Sequence, residues 1–130
     1  MATKEFGFKK IQVWSKSMDF ADYVLEMVEN LNSKNKHYRL VEQIEAACIS
    51  VPANIAEGKG RNSKKEFIRF LYIARASMYE TITFLNICAK RNWISQAQLE
   101  RAESEGFEIA SMIKGLINAI NRSLKSEDGR

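Results

Sequence analysis

The sequence predicts an all-α fold, an antiparallel up-down-up-down four-helix bundle. Four long stretches carry apolar residues every three or four positions, whereas no stretch alternates convincingly between apolar and polar residues as a strand does. The chain of 130 residues contains one proline and six glycines, too few turn-forming residues for many short strands. Because 45% of it is apolar, one core in a single domain over residues 1–130 needs no metal or disulfide support. The helices are expected at about 11–31, 38–57, 64–91 and 95–124.

The first two helices are delimited by polar and glycine-rich breaks. An apolar stripe from Trp14 to Leu31 marks the first helix, and the run Asn32-Ser33-Lys34-Asn35 ends it. The second helix is expected to stop at Gly58-Lys59-Gly60, where a glycine in the left-handed conformation closes it. Pro52 lies in its middle and lacks the amide that would bond the Cys48 carbonyl, so either a kink or a new helix start is expected there.

The last two helices each begin with a capping box, in which two side chains bond free amides of the first turn. Ser63 and Glu66 form one such box, and Ser95 and Gln98 form the other. Because the links between these long helices are short, neighbouring helices must run antiparallel. Some apolar side chains lie off the main stripe of the third helix and could pack against another subunit, namely Phe70, Tyr72, Ile73 and Phe84.

Cysteine usage and hydropathy indicate a cytoplasmic protein. Cys48 and Cys88 stand among apolar neighbours, which favours free core thiols in a reducing compartment over a disulfide. The longest uncharged run, residues 46–56, is far shorter than the roughly 17–25 residues of a membrane-spanning helix. The basic N-terminus is followed by no apolar signal region. We therefore expect no membrane association.

The net charge of +4 comes from one short segment of the chain. Residues 59–69 hold five basic residues against only Glu66, whereas the rest of the chain is nearly balanced. Such a cluster attracts phosphate backbones or acidic partners, although a solvated turn with ordinary surface lysines is an equally good interpretation. The nucleic-acid-binding candidates are Lys59, Lys64, Lys65 and Arg69, with Arg61 expected to turn inward toward Glu57 or Glu80.

The residue types needed for common enzyme chemistry are missing. The single histidine, His37, is too few for a histidine-rich zinc site or a di-iron bundle. It is expected in a solvent-facing loop, and not in a catalytic triad. No phosphate-binding glycine loop occurs, since Gly58-Lys59-Gly60 is too short a match. We therefore expect no catalytic residues, no metal and no cofactor.

Polar residues form a stripe on the second helix that can face two polar residues of the third. We interpret the stripe as a structural network that fixes helix register, because buried polar groups need partners. The alternative, a carboxylate pair acting on a substrate, lacks a nucleophile, a suitable base or a metal. The stripe comprises Ser50, Asn54, Glu57 and Arg61, opposite Ser77 and Glu80.

A specific string links the second and third helices to a known family. It reads Gln43-x-x-Ala-Ala-x-x-Ser50-Val-Pro-Ala-Asn54-Ile-Ala-Glu-Gly-x-Gly-Arg-x-Ser-x-x-Glu-Phe67, and Leu-x-x-Ala-x-x-Ser-x-x-Glu80 follows it. This pattern resembles the ribosomal-protein-like four-helix bundles encoded in 23S rRNA intervening sequences. The chain departs from the family at Glu45-Ala46, where an arginine pair is usual, which leaves residues 59–69 as the main basic candidate.

The resemblance implies a homopentameric ring and no catalytic activity. The family is also similar to the accessory proteins of diversity-generating retroelements, basic pentamers that bind a reverse transcriptase and nucleic acid. Three classes of function follow for this chain. The first is a non-enzymatic oligomer that binds RNA or DNA, either alone or together with a protein partner. The second is a purely protein-binding or self-assembling scaffold, and the third is an enzyme, which the missing histidines disfavour.

Overall fold

The computed structural model describes residues 4–32 and 37–128, and within these ranges the fold is all-α with four long helices. A short 3-10 helix, Gly7–Lys10, precedes them. The part of the predicted first turn at residues 33–35 lies outside the described residues. The bounds are Gln12–Asn32 for α1, Tyr38–Lys59 for α2, Lys64–Lys90 for α3 and Gln96–Asp128 for α4. Helix α4 continues four residues beyond its predicted end.

Each helix packs against the next one in the chain, and α4 packs against α1. Lys64 at the start of α3 donates a hydrogen bond to Ser123 near the end of α4, and Asn86 near the end of α3 donates one to Glu103 near the start of α4. The two helices are therefore antiparallel. We call one end of the bundle the lower end; it contains the start of α1, the α2–α3 connection and the end of α4.

The core is a continuous apolar cluster with contributions from all four helices, and its largest fully buried side chains include Phe20, Leu71 and Ile113. Cys48 and Cys88 are both buried free thiols, as predicted. Burial raises the pKa of the Cys48 thiol to about 11 and raises that of Cys88 as well. None of the helices in the described ranges is long and apolar enough to cross a membrane.

The structure ends α2 at Lys59, within the expected Gly58-Lys59-Gly60 string, but corrects the left-handed conformation expected there. Gly60, its C-terminal cap, has a φ of −76° in the right-handed region, and no glycine in the described ranges has a positive φ. Gly58 has a different role, because a Cβ on it would lie 2.7 Å from the Phe70 Cβ atom and 3.3 Å from the Phe67 carbonyl oxygen. The glycine thus allows α2 and α3 to approach closely. Pro52 is buried inside α2, which does not start anew there.

Of the two predicted capping boxes, the one at Ser63 forms only in part and the one at Ser95 forms fully. The Ser63 hydroxyl accepts from the Glu66 amide at 3.3 Å, but the Glu66 carboxylate bonds Arg69 and not the Ser63 amide. The second cap is reciprocal: Ser95 Oγ accepts from the Gln98 amide at 3.1 Å, and the Gln98 side chain accepts from the Ser95 amide at 2.8 Å. These bonds satisfy amides that have no partner within the helix.

The apolar residues off the main stripe of α3 have different surroundings. Phe70 is buried, and Phe84 is half-buried against the core. Tyr72 and Ile73 remain exposed to solvent. Part of the surplus apolar surface is therefore open to solvent.

Candidate nucleic-acid interface

Five basic side chains surround the α2–α3 connection at the lower end. They come from the last residue of α2, the connection itself and the first turns of α3, and all five are exposed. The connection is short because Gly58 brings the two helices together and the Ser63 cap starts α3 immediately afterwards. We call this cluster the basic corner; it consists of Lys59, Arg61, Lys64, Lys65 and Arg69.

Two arginines of the basic corner converge on one aromatic ring. The guanidinium carbons of Arg61 and Arg69 lie 4.9 Å and 4.6 Å from the centroid of the Phe70 ring. Arg61 also bonds Glu57 at 2.8 Å, and Arg69 bonds Glu66 at 2.9 Å. The hydrogen bond from Arg69 holds the pKa of the Glu66 carboxyl below its ordinary value. Ring and carboxylate together fix both guanidinium groups at the surface.

The three lysines of the corner differ in their partners. The Lys64 ammonium donates to Glu127 at 2.6 Å and to Ser123 at 2.7 Å, which ties the start of α3 to the end of α4. Lys59 and Lys65 form no ion pair with any residue in the described ranges. These two cations are therefore the members of the corner most available to an anionic ligand.

The structure adds basic residues to the lower end that the sequence does not reveal. The 3-10 helix packs against α2, and a Cβ on Gly7 would lie 3.9 Å from the Lys59 Cε atom. Counting charges along the chain hides the lysines of the 3-10 helix, because the acidic residues of α1 follow them closely in the sequence. In the fold, those acidic residues lie farther up the bundle. The bases added by the 3-10 helix and by the last turns of α4 are Lys9, Lys10, Arg122 and Lys125.

Half of the predicted polar stripe comes together in a half-buried cluster. The Asn54 amide donates to the Ser50 carbonyl oxygen and hydroxyl, both at 2.8 Å. The Ser77 hydroxyl donates to the Ser50 hydroxyl at 2.9 Å. The Asn54 bonds lie within α2, and the Ser77–Ser50 bond joins α2 to α3 near mid-height.

The charged half of the stripe lies elsewhere. Glu57 and Arg61 bond each other at the exposed surface, and Arg61 lies over Phe70 without approaching Glu80. Glu80 is exposed, and neither ion pair nor hydrogen bond links it to the stripe among the described residues. The carboxylates of Glu57 and Glu80 are thus not brought together as a pair.

His37 is half-buried, contrary to the expectation of a solvent-facing loop residue. Its ring stacks on Trp93 at 3.7 Å between centroids, which packs the start of α2 against the α3–α4 connection. Within residues 4–32 and 37–128, no group of three or more histidine, cysteine or acidic side chains could hold a metal ion.

Comparison with known proteins supports the resemblance found in the sequence. Residues 9–115 match the model of the family described as 23S rRNA-intervening sequence protein. The crystal structure of a protein of unknown function from the S23 ribosomal protein family of Bacteroides thetaiotaomicron has a similar fold. Its TM-score is 0.77 at 28% identity, over 81% of this chain and 97% of that one. No curated protein matches the sequence. The chain belongs to the 23S rRNA-intervening sequence protein family.

Proposed function

We propose that this protein is a non-enzymatic homo-oligomer that binds the phosphate backbone of RNA or DNA through its basic corner. The carrying observation is that Lys59 and Lys65 are exposed at the α2–α3 connection without an acidic partner in the described ranges. The lysines of the neighbouring 3-10 helix extend the same positive surface. Positive charge concentrated at one end of a bundle favours a polyanion over a small ligand.

The ion pairs of the corner are compatible with phosphate binding. The Lys64–Glu127 and Arg69–Glu66 pairs are both about half exposed, and exposed pairs of this kind contribute only about 0–1 kcal/mol. A phosphate can therefore replace the carboxylate at small cost. Because lysine and arginine would meet phosphates and not base edges, binding is expected to be largely independent of sequence.

An oligomer would multiply this surface. We propose a pentamer, about 75 kDa from five chains of 14.9 kDa, because the chain belongs to a family in which the resemblance implies such rings. Each subunit would present its basic corner at an equivalent position. Several weak contacts then act on one polymer, and the avidity exceeds the affinity of a single corner.

Charge reversal at two distant places tests the proposal. The variant Lys59→Glu/Lys65→Glu removes the available cations of the corner. The control Arg39→Glu/Lys90→Glu makes the same change in net charge at the opposite end of the bundle, where both residues are also exposed. Fluorescence anisotropy with a duplex DNA and a structured RNA at low salt should show at least about tenfold weaker binding by the corner variant and less than about threefold change in the control.

The competing candidate is a purely protein-binding scaffold, which the exposed aromatic residues of α3 and α4 favour. A wild-type protein that binds neither nucleic acid at low salt would support it and contradict the proposal. Equal losses of affinity in the two charge-reversal variants would also contradict the proposal, because the effect would then come from net charge alone and not from the basic corner.

A further inference from the structure

The outer face of α3 and α4 carries unusually exposed aromatic side chains. Phe107 is 76% exposed, Tyr79 55% and Tyr72 44%. The three lie on one side of the bundle, since Tyr72 and Tyr79 are seven residues apart on α3 and Phe107 shares a groove with Tyr79. Exposed aromatic clusters of this kind mark interaction surfaces. We call this surface the α3–α4 face; it comprises Tyr72, Arg75, Tyr79, Phe107 and Lys114.

A groove of about 330 Å³ lies between the two helices beside these aromatic rings. Its floor includes Met78 and Ile82 of α3 and Gly106 of α4, and Phe107 forms part of its wall. Gly106 has no side chain to fill the space, although a Cβ there would come within 3.0 Å of Ile82 Cδ1. The face therefore offers both a protruding ring and an apolar hollow.

Two cations are held on the face without acidic partners. The Arg75 guanidinium lies 4.9 Å from the Tyr79 ring centroid and donates to its hydroxyl at 2.9 Å. The Lys114 ammonium lies 5.2 Å from the Tyr72 ring centroid and donates to that hydroxyl at 3.2 Å. Neither forms an ion pair within the described ranges. An acidic partner would supply the opposite charge that both cations lack there.

The opposite side of the bundle has the complementary chemistry. On α1 and α2, Met18 is 44% exposed and Ile49 is 47% exposed. One helical turn away, since Asp22 follows Met18 and Glu45 precedes Ile49 by four residues, lies a shallow depression of about 570 Å³. It is rimmed by carboxylates that form no ion pair in the described part of the chain. We call this surface the α1–α2 face; it comprises Met18, Ile49, Asp22, Glu26, Glu29 and Glu45.

We propose that the α3–α4 face of one copy binds the α1–α2 face of a second copy, head to tail. This inference rests on the proposed homo-oligomer and names its contact. At about 1.5 Å per residue, Arg75 lies roughly 17 Å above the start of α3 and Asp22 roughly 15 Å above the start of α1. Both starts are at the lower end, so Arg75 of one copy and Asp22 of the other stand at about the same height when two copies lie side by side in parallel.

The charges favour this contact over a symmetric one. A contact between two α3–α4 faces would bring the cations Arg75 and Lys114 of one copy close to the same cations of the other. A contact between two α1–α2 faces would bring carboxylates close to carboxylates. A contact between two different faces is heterologous, so it leaves one face of each type open for a further copy. Such a contact builds rings or longer assemblies.

Blocked variants test the pairing of the two faces. Tyr79→Glu/Phe107→Glu blocks the α3–α4 face, and Met18→Glu/Ile49→Glu blocks the α1–α2 face; all four residues are exposed, so both variants should keep the helical content of the wild type. The control Ile73→Glu changes an exposed apolar residue of α3 that lies about 120° around the helix from Tyr79. Mass is measured by multi-angle light scattering.

We expect each blocked variant alone to have the mass of one chain, 14.9 kDa, and the control to keep the wild-type mass. An equimolar mixture of the two blocked variants retains one intact pair of faces and should form a 1:1 complex of about 30 kDa, from two chains of 14.9 kDa. A monomeric wild type, blocked variants that keep the wild-type mass, or a mixture that stays monomeric would each overturn the inference.

Blocked variants that keep their mass but lose nucleic-acid binding would assign the face to nucleic acid instead. A wild type that assembles as expected but binds no nucleic acid would contradict only the proposed function.

Discussion

The substitution Gly58→Ala probes the contact that forms the basic corner. A Cβ at this position would lie 2.7 Å from the Phe70 Cβ atom, 3.0 Å from the Phe67 ring and 3.3 Å from the Phe67 carbonyl oxygen. Two of these three atoms are fixed by the backbone of α3 and cannot rotate away. Helices α2 and α3 must therefore separate by several tenths of an ångström to accept the methyl group.

Two effects of opposite sign set the size of the change. Overpacking a well-packed contact costs about 1–3 kcal/mol. Alanine in place of glycine inside a helix contributes about 1 kcal/mol in the other direction, and less at a terminal turn such as this one. We expect a net loss of about 1–2 kcal/mol in the free energy of unfolding. For a chain of 130 residues this lowers the melting temperature by roughly 4–8 °C.

Two other helical glycines provide matched controls. At Gly115 no atom lies within 4 Å of the place that an added methyl group would take, so Gly115→Ala should stabilise the protein by about 0.5–1 kcal/mol. At Gly106 the nearest atoms are the flexible ends of Ile82 and Met78, so Gly106→Ala should change stability by less than about 1 kcal/mol. Urea titration followed by circular dichroism measures all three. If Gly58→Ala is as stable as Gly115→Ala, the close approach of α2 and α3 is not a packing constraint.

Two further predictions concern the interior. Asn54→Ala removes the amide that bonds Ser50 and should cost about 0.5–1.5 kcal/mol by urea titration, whereas the exposed Asn118→Ala should stay within about 0.5 kcal/mol; equal effects would contradict the half-buried cluster. Because the folded state raises the pKa of Cys48 to about 11 from an ordinary 9.0, its thiol stabilises the fold below pH 9, and this contribution is lost as the pH rises from 9 toward 11. The urea midpoint should fall over that range, and less steeply in Cys48→Ala; parallel pH profiles would refute this.

The fold could be predicted because its signals are local. The serine caps at Ser63 and Ser95 each act over three residues, so the starts of α3 and α4 follow from short strings. The left-handed conformation predicted for a glycine at the end of α2 is wrong. The role of Gly58 could not be foreseen because it depends on Phe70, which reaches it only after the chain has turned. A glycine that ends a helix and a glycine that admits a neighbouring helix look the same in one sequence.

The candidate site could be predicted only in part, because charges far apart in the chain meet in the fold. The sequence groups Lys64 with its neighbours, but its ammonium bonds Glu127 on the last turns of α4. A count along the chain places Lys9 and Lys10 with the acidic residues of α1, from which the fold separates them. Arg75 and Tyr79 lie four residues apart on one helix, so their contact can be expected, but this spacing does not show that the pair belongs to an exposed aromatic surface.

The salt dependence of nucleic-acid binding tests the central claim most directly. Each phosphate contact contributes about −0.9 to the slope of log K against log salt for duplex DNA and about −0.7 for single strands. We predict a wild-type slope of about −3 or steeper, and a slope shallower by about 2 in Lys59→Glu/Lys65→Glu if one subunit's corner contacts the duplex. A slope near zero for the wild type, or the same slope in both proteins, would contradict the assignment of the basic corner as the nucleic-acid-binding surface.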